Sequence, residues 1–142
     1  MMNPEFRFFG SVEEMMEQFP LLKLLTPGLD QHSTTQMLRE MIQSGYRMLG
    51  LFEGSTCLGL SGIWVATKLY SGKYLEIDNF VTHPDYRSKG IGKLLIEEIE
   101  RIAQKEKCKV IMLDAYTVNT EAHRFYFREG FVVKGFHFIK TL

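Results

Sequence analysis

The sequence predicts an α/β fold, because helix-patterned and strand-patterned segments alternate along its 142 residues. Three observations carry this expectation. Capping signals open amphipathic helices, three β-rich runs are joined by glycine turns, and one strand feeds a glycine-containing turn and then a helix. A chain of this length buries roughly two-thirds of its unfolded surface, enough for one core. A single domain over residues 1–142 is expected, with no linker, repeat or low-complexity tract.

Phe6, Phe8 and Phe9 suggest a short first strand. Ser11-Val12-Glu13-Glu14 has the form of a capping box and predicts a helix to about Phe19. Pro20 breaks it, leaving a loop or short turn to Gly28. Ser33-Thr34-Thr35-Gln36 reads as a second capping box, for a helix carrying Met37, Leu38, Met41 and Ile42 and closed by Gly45. Residues 46–53, 56–67 and 73–82 read as strands joined by turns at Glu53-Gly54-Ser55 and Tyr70-Ser71-Gly72. After a glycine turn, Ile91, Leu94, Leu95, Ile99, Ile102 and Ala103 share one helical face. Residues 109–116 predict a buried strand, 120–129 a helix stopped by Gly130, and Phe131 onward a last strand or pair.

The glycine turn, Arg87-Ser88-Lys89-Gly90-Ile91-Gly92, is the most informative segment. A helix start presents unpaired N–H groups and the positive end of the helix dipole, a ready site for an anion. Arg87, Lys89 and Lys93 add side-chain charge, and Gly90 and Gly92 admit a bulky phosphate close to the backbone. The expected ligand is a pyrophosphate. A P-loop would need Ser or Thr after Gly92-Lys93, where Leu94 stands, and a dinucleotide fingerprint would need glycine at Leu95.

The hexapeptide instead fits Arg/Gln-x-x-Gly-x-Gly/Ala, and its flanks extend the match. Leu75 to Val81 followed by Thr82-His83-Pro84-Asp85-Tyr86-Arg87 resembles a strand and its V-x-P-x-Y-R approach. Asn119 to Phe131 resembles N-x-x-A-x-x-hydrophobic-Tyr-x-x-x-Gly-Phe. Together these resemble the two central motifs of the GNAT superfamily, the acyl-CoA-dependent N-acyltransferases; the resemblance thins before Tyr46. It implies a GNAT fold: a mixed central β-sheet of about six or seven strands, helices on both faces, and splayed central strands. It also implies acetyl-CoA as acetyl donor and a primary amine as acceptor, joined by direct attack in a ternary complex. The CoA-binding residues would be Phe80, Val81, Thr82, Arg87, Ser88, Lys89, Gly90, Ile91, Gly92, Lys93, Asn119 and Tyr126. The pantetheine arm would pair with the backbone around Phe80 to Thr82 as an added strand, and a backbone N–H there, Val81's foremost, would face the thioester oxygen.

An aliphatic amine with a pKa around 10 is protonated at neutral pH, so a base must take its proton. Glu76 and Asp78 stand two apart on the strand and share a face. The resemblance favours Glu76, a shift of one register favours Asp78, and either acts directly or through a water chain. Tyr126 occupies the family's tyrosine-acid position, where a neutral hydroxyl protonates the departing sulfur. Asn119 is expected at the pantetheine, a role that competes with capping the following helix.

Seventeen basic and seventeen acidic residues cancel, and the isoelectric point near 6.9 gives no bulk case for nucleic acid or membrane as partner. Residues Met1 to Phe6 do not read as a signal peptide. Cys57 and Cys108 read as reduced thiols of a cytoplasmic protein, with Lys107 and Lys109 positioned to lower the Cys108 pKa. The scattered His32, His83, His123 and His137 predict no metal. Met15, Met16, Phe19, Leu22, Met37, Met41, Trp64, Tyr70 and Tyr74 are candidates to line the amine site, with Trp64 and the tyrosines able to face an ammonium. Lys73-Tyr74-Leu75-Glu76 with Asp85-Tyr86-Arg87 faintly resembles the diamine acetyltransferases of the superfamily; amino acids, amino sugars and peptides stay open as acceptors. Two other classes remain: a non-catalytic CoA-binding sensor module, and an interaction domain whose basic turn holds another phosphate. Alternation of Phe136, Phe138 and Ile139 with polar residues suits an edge strand and a homodimer.

Overall fold

Capping decides where the helices begin in this computed structural model, which describes residues 3–142. After strand β1 (Glu5–Phe8), helix α1 (Val12–Met16) is capped by Ser11, whose hydroxyl accepts from the Glu14 N–H at 3.2 Å. Glu14 in turn accepts from the Gly10 N–H at 2.8 Å, one residue ahead of the Ser11 N–H that a standard capping box uses. Pro20 does not leave a loop. It sits in the first turn of a second helix, α2 (Phe19–Leu25), where its missing N–H costs no bond, and Leu21 and Leu22 are buried. Helix α3 (Gln31–Gln43) starts before the predicted Ser33 box, because Asp30 caps it by accepting from the Ser33 N–H at 2.8 Å.

The strands β2 (Arg47–Glu53), β3 (Thr56–Lys68) and β4 (Gly72–Thr82) follow, then helix α4 (Ile91–Lys105), strand β5 (Val110–Leu113) and helix α5 (Thr120–Arg128). The five strands lie in chain order, with β1 to β4 antiparallel. β5 reaches the edge of β4 through the α4 crossover, the connection a parallel pair requires, so the sheet is mixed and open. Lys109 N–H donates to the Lys73 carbonyl at 2.6 Å, which sets β5 beside the start of β4. Four residues are too few for β5 to accompany the eleven of β4 as far as Thr82.

The chain forms two compact units, one running to Met112 and the other from Leu113 to Leu142. In the first, helices cover both faces of the sheet. A side chain at Gly59 would meet Ile91 and Leu95 of α4, whereas its neighbour Leu60 belongs to the core cluster with Val12, Met15, Leu22 and Leu38 of α1–α3. Successive strand residues point to opposite faces, so α4 and the N-terminal helices lie on opposite sides. Along α4 the buried stripe is Ile91, Leu95, Ile96, Ile99, Ile102 and Ala103; the predicted Leu94 is 36% exposed and Ile96 takes its place. In the second unit, α5 is capped by Asn119, and Gly130 at φ +93° ends it. The Tyr126 ring packs edge-on against Phe125 and Phe131, with centroids 5.2 and 5.5 Å away.

The sheet thus has five strands where six or seven were expected. No strand forms after Leu113 among the described residues, and Phe136 and Phe138 are 84% and 91% exposed. Apolar alternation encodes an extended chain, but a strand exists only where a neighbouring edge takes up its backbone groups, and residues 131–142 make no such ladder.

Candidate functional site

Strand β4 is interrupted where the chemistry is expected. Asp78 pairs with Gly62 and Val81 with Leu60, so Asn79 and Phe80 together stand opposite the single residue Ser61, a β-bulge. Asn79 takes φ +60°, a left-handed conformation that asparagine tolerates better than most residues. Three contacts hold it there. Its side-chain amide donates to the Tyr46 hydroxyl at 3.0 Å, and the Tyr46 ring lies 5.1 Å from that of Trp64. Trp64 Nε1 in turn donates to Asp78 Oδ2 at 3.0 Å. A side chain at Gly62 would strike both the Tyr46 hydroxyl and the Asp78 carbonyl, so only glycine admits this close approach. Burial holds the Tyr46 hydroxyl protonated far above its ordinary range, and the Asp78 charge adds to that effect against the Asn79 contact.

Glu76 and Asp78 line one cavity of ≈ 340 Å3 with Ser44, Trp64, Val65, Ala66 and Tyr74. The shared face expected from their spacing therefore opens onto a space that a small molecule can enter. A concavity of ≈ 440 Å3 along α3 is larger, but only Gln31, His32, Thr35, Gln36 and Arg39 of that one helix line it, with no opposing wall. Beyond the bulge, Val81 is buried on the α1–α3 face, Thr82 pairs with Gly59, and the His83 N–H donates to the Leu58 carbonyl at 2.9 Å. Phe80 is half-buried within the bulge.

The turn then leads into α4. His83 Nδ1 accepts from the Asp85 N–H, starting a short 3-10 turn at Pro84–Tyr86. Arg87 is extended, while Ser88 has φ +62° and Gly90 φ +79°. Gly90 caps α4 without any side-chain hydrogen bond, and a Cβ there would meet nothing within 4 Å. The first turn of α4 thus begins without a capping side chain on its N–H groups. Arg87, Ser88, Lys89 and Lys93 are exposed, and the Lys89 ammonium lies 5.5 Å from the Tyr86 ring. Ile91 is buried against the sheet, anchoring the turn from beneath.

Asn119 and Tyr126 belong to the second unit. Asn119 is the N-cap of α5, with Oδ1 accepting from the Ala122 N–H at 3.2 Å, so that oxygen is engaged in capping. Burial pushes the Tyr126 hydroxyl up to about 12, leaving it neutral and able to donate at physiological pH. The cysteines differ from one expectation. Burial raises the Cys108 thiol, outweighing the lowering by Lys73, and pushes buried Cys57 up to about 11, with its thiol donating to the Gly59 carbonyl. Neither is an activated nucleophile. Among the described residues no three His, Cys, Asp or Glu side chains come together as for a metal ion, and no helix is long and apolar enough to cross a membrane.

Tyr46, Asn79 and Ser44 were missed by reasoning from sequence. Only Asn79 carried a local signal: an asparagine inside a run of strand-forming residues marks a place where a left-handed bulge can form.

The model of the Acetyltransferase (GNAT) family matches residues 12–131. The chain is 30% identical over 134 residues to an uncharacterized N-acetyltransferase of Bacillus subtilis (strain 168), covering 93% of this chain and 94% of that protein. It is 28% identical over 109 residues to a spermidine N(1)-acetyltransferase of Thermoplasma acidophilum, covering 74% of this chain and 65% of that protein. Among solved structures, an aminoglycoside N-acetyltransferase, AAC(6')-Iy, in complex with CoA matches with a TM-score of 0.85 at 16% identity, over 100% of this chain and 96% of that chain. At that identity the likeness is one of fold.

Proposed function

Because this chain belongs to the GNAT acetyltransferase family, we propose that it acts as one catalytic domain moving the acetyl group of acetyl-CoA to a small primary amine. The observation that carries this reading is the pairing, within one unit, of an open, basic helix N-terminus with a bulged strand whose two carboxylates line a cavity. The match of one family model to residues of both units supports treating them as one domain. The relative named for spermidine supports a small amine as acceptor.

The α4 turn fits a pyrophosphate on its chemistry. Its cap is free of a side chain, the space at Gly90 is open, and Arg87, Lys89 and Lys93 supply positive charge. Residues Phe80 to Thr82 would hold the pantetheine by backbone pairing, with the Val81 N–H toward the thioester oxygen. Asn119 would lie along the same arm. When bound, acetyl-CoA supplies the activated acetyl thioester.

An ammonium gives up two protons on becoming an amide. Glu76, directly or through water, takes the first and passes it to solvent, which leaves a neutral amine. As nitrogen bonds the acetyl carbon and the carbon–sulfur bond breaks, Tyr126 gives its proton to the departing sulfur. The tyrosinate is restored by the second proton from nitrogen, so one proton is released per turnover. The acid assignment rests on the motif from Asn119 to Phe131.

The reading is tested by CoA-thiol release from acetyl-CoA over a panel of polyamines, amino acids, amino sugars and short peptides. Tyr126→Phe is expected to lower kcat about a hundredfold with little change in acetyl-CoA affinity. Thermal protection by acetyl-CoA with no thiol release from any amine would replace the enzyme by a CoA-binding module. Full activity of Tyr126→Phe across the pH range would remove the tyrosine from the mechanism.

A further inference from the structure

The cavity beside β4 holds more negative character than acetyl transfer consumes. One carboxylate suffices to take the proton of the reacting amine, yet Glu76 and Asp78 both line the space. Ser44, the C-cap of α3, lines it too, so the negative end of that helix dipole opens there, and no basic residue in the last turn of α3 offsets it. No Lys or Arg is among the lining residues. The remaining lining residues are Val65, Ala66 and the aromatic Trp64 and Tyr74. The Trp64 indole and the Tyr74 phenol offer π-faces to a cation, and the Lys68 ammonium already lies 5.3 Å from the Tyr74 ring centroid. Asp78 is also fixed in direction, because Trp64 Nε1 holds its Oδ2 at 3.0 Å.

We propose that this cavity selects an acceptor bearing at least two ammonium groups, with one nitrogen reacting beside Glu76 and a second held by Asp78 against Trp64. Calling the ligand an acceptor rests on the transferase reading; the selection of a dication does not. Residues two apart on a strand are separated by about 7 Å, close to the span of nitrogens joined through an extended butyl or pentyl chain. A phosphate or phosphonate on the acceptor would instead meet two carboxylates and a helix C-terminus, and a free carboxylate would fare the same. Asp78 is thus a specificity-determining residue.

Trp64 is the only tryptophan of the chain, so intrinsic fluorescence reports on this cavity independently of any acetyl transfer. Titration of the wild-type protein with putrescine is expected to saturate at a concentration about tenfold below that for butylamine, with no response to aminoethylphosphonate. Thiol release should follow the same order. Asp78→Asn should abolish the advantage of putrescine over butylamine, with protection by acetyl-CoA showing that the variant is folded. The wild-type titration decides the matter even if that variant fails to fold. Discrimination in fluorescence without thiol release would keep the dication site and overturn the transferase reading. Thiol release with equal preference for putrescine and butylamine, or binding of aminoethylphosphonate as tightly as putrescine, would keep the transferase and overturn this inference.

Discussion

The bulged half of β4 and the turn into α4 lie within a few residues of each other, yet they are built in opposite ways. At the bulge, buried Tyr46 and half-buried side chains of β3 and β4 fix one another: Asn79 on Tyr46, Tyr46 on Trp64, Trp64 on Asp78. In the turn the side chains are exposed, and backbone conformation at Ser88 and Gly90 supplies the binding groups. A cavity that must distinguish acceptors needs side chains held in one arrangement, whereas a phosphate site needs N–H groups and charge. Substitutions should therefore cost stability at the bulge and affinity in the turn.

The largest expected effect is on the bulge. Gly62→Ala places a methyl group against the Tyr46 hydroxyl and the Asp78 carbonyl and is expected to cost about 3 kcal/mol or more, read by denaturant unfolding. A loss below about 1 kcal/mol would mean that the bulge yields easily. Next, Asn79→Val should cost about 2 kcal/mol through the left-handed backbone and the lost Tyr46 contact, while Asn79→Gly keeps the backbone and should cost less. In the turn the order of effects reverses. Arg87→Ala should leave stability within about 0.5 kcal/mol yet weaken acetyl-CoA about tenfold, the loss shrinking as salt is raised.

A smaller effect separates burial from charge. Cys57 has its folded pKa raised to about 11 from the model-compound 9.0 by burial, so its contribution is complete below pH 9 and is lost as pH rises to about 11. Cys57→Ala should flatten the stability profile across that window, measured by urea midpoints at each pH. An unchanged profile would show that the thiol does not ionise there. The smallest effect is expected at Lys107, φ +62°, where the Cys108 N–H bonds the Ala103 carbonyl as α4 ends. Lys107→Gly should gain up to about 1 kcal/mol by relieving the left-handed strain, read as a raised Tm.

The same contrast explains what could be read from sequence. The turn was legible because backbone demands leave local marks: a glycine where φ is +79°, basic residues beside it, and an apolar stripe in the helix it opens. Strands β2 to β4 were legible from β-rich runs between glycine turns. The tether of Asn79 to Tyr46 joins residues 33 apart and left no local mark. Helix α2 was hidden because Pro20 reads as a breaker unless its place in a first turn is known. Asp30 displaced the Ser33 cap because both residue types cap well and only geometry chooses between them. Beyond Gly130 the apolar alternation was real, but pairing depends on an edge that the pattern does not encode.

The most direct test of the account is a steady-state comparison of Arg87→Ala and Asp78→Asn, with acetyl-CoA and putrescine varied in turn. Arg87→Ala is expected to raise KM for acetyl-CoA about tenfold and to leave that for putrescine unchanged, and Asp78→Asn to do the reverse. If both variants raised the same KM, or both raised both equally, the turn and the cavity would not be two sites with separate ligands, and the account would be wrong.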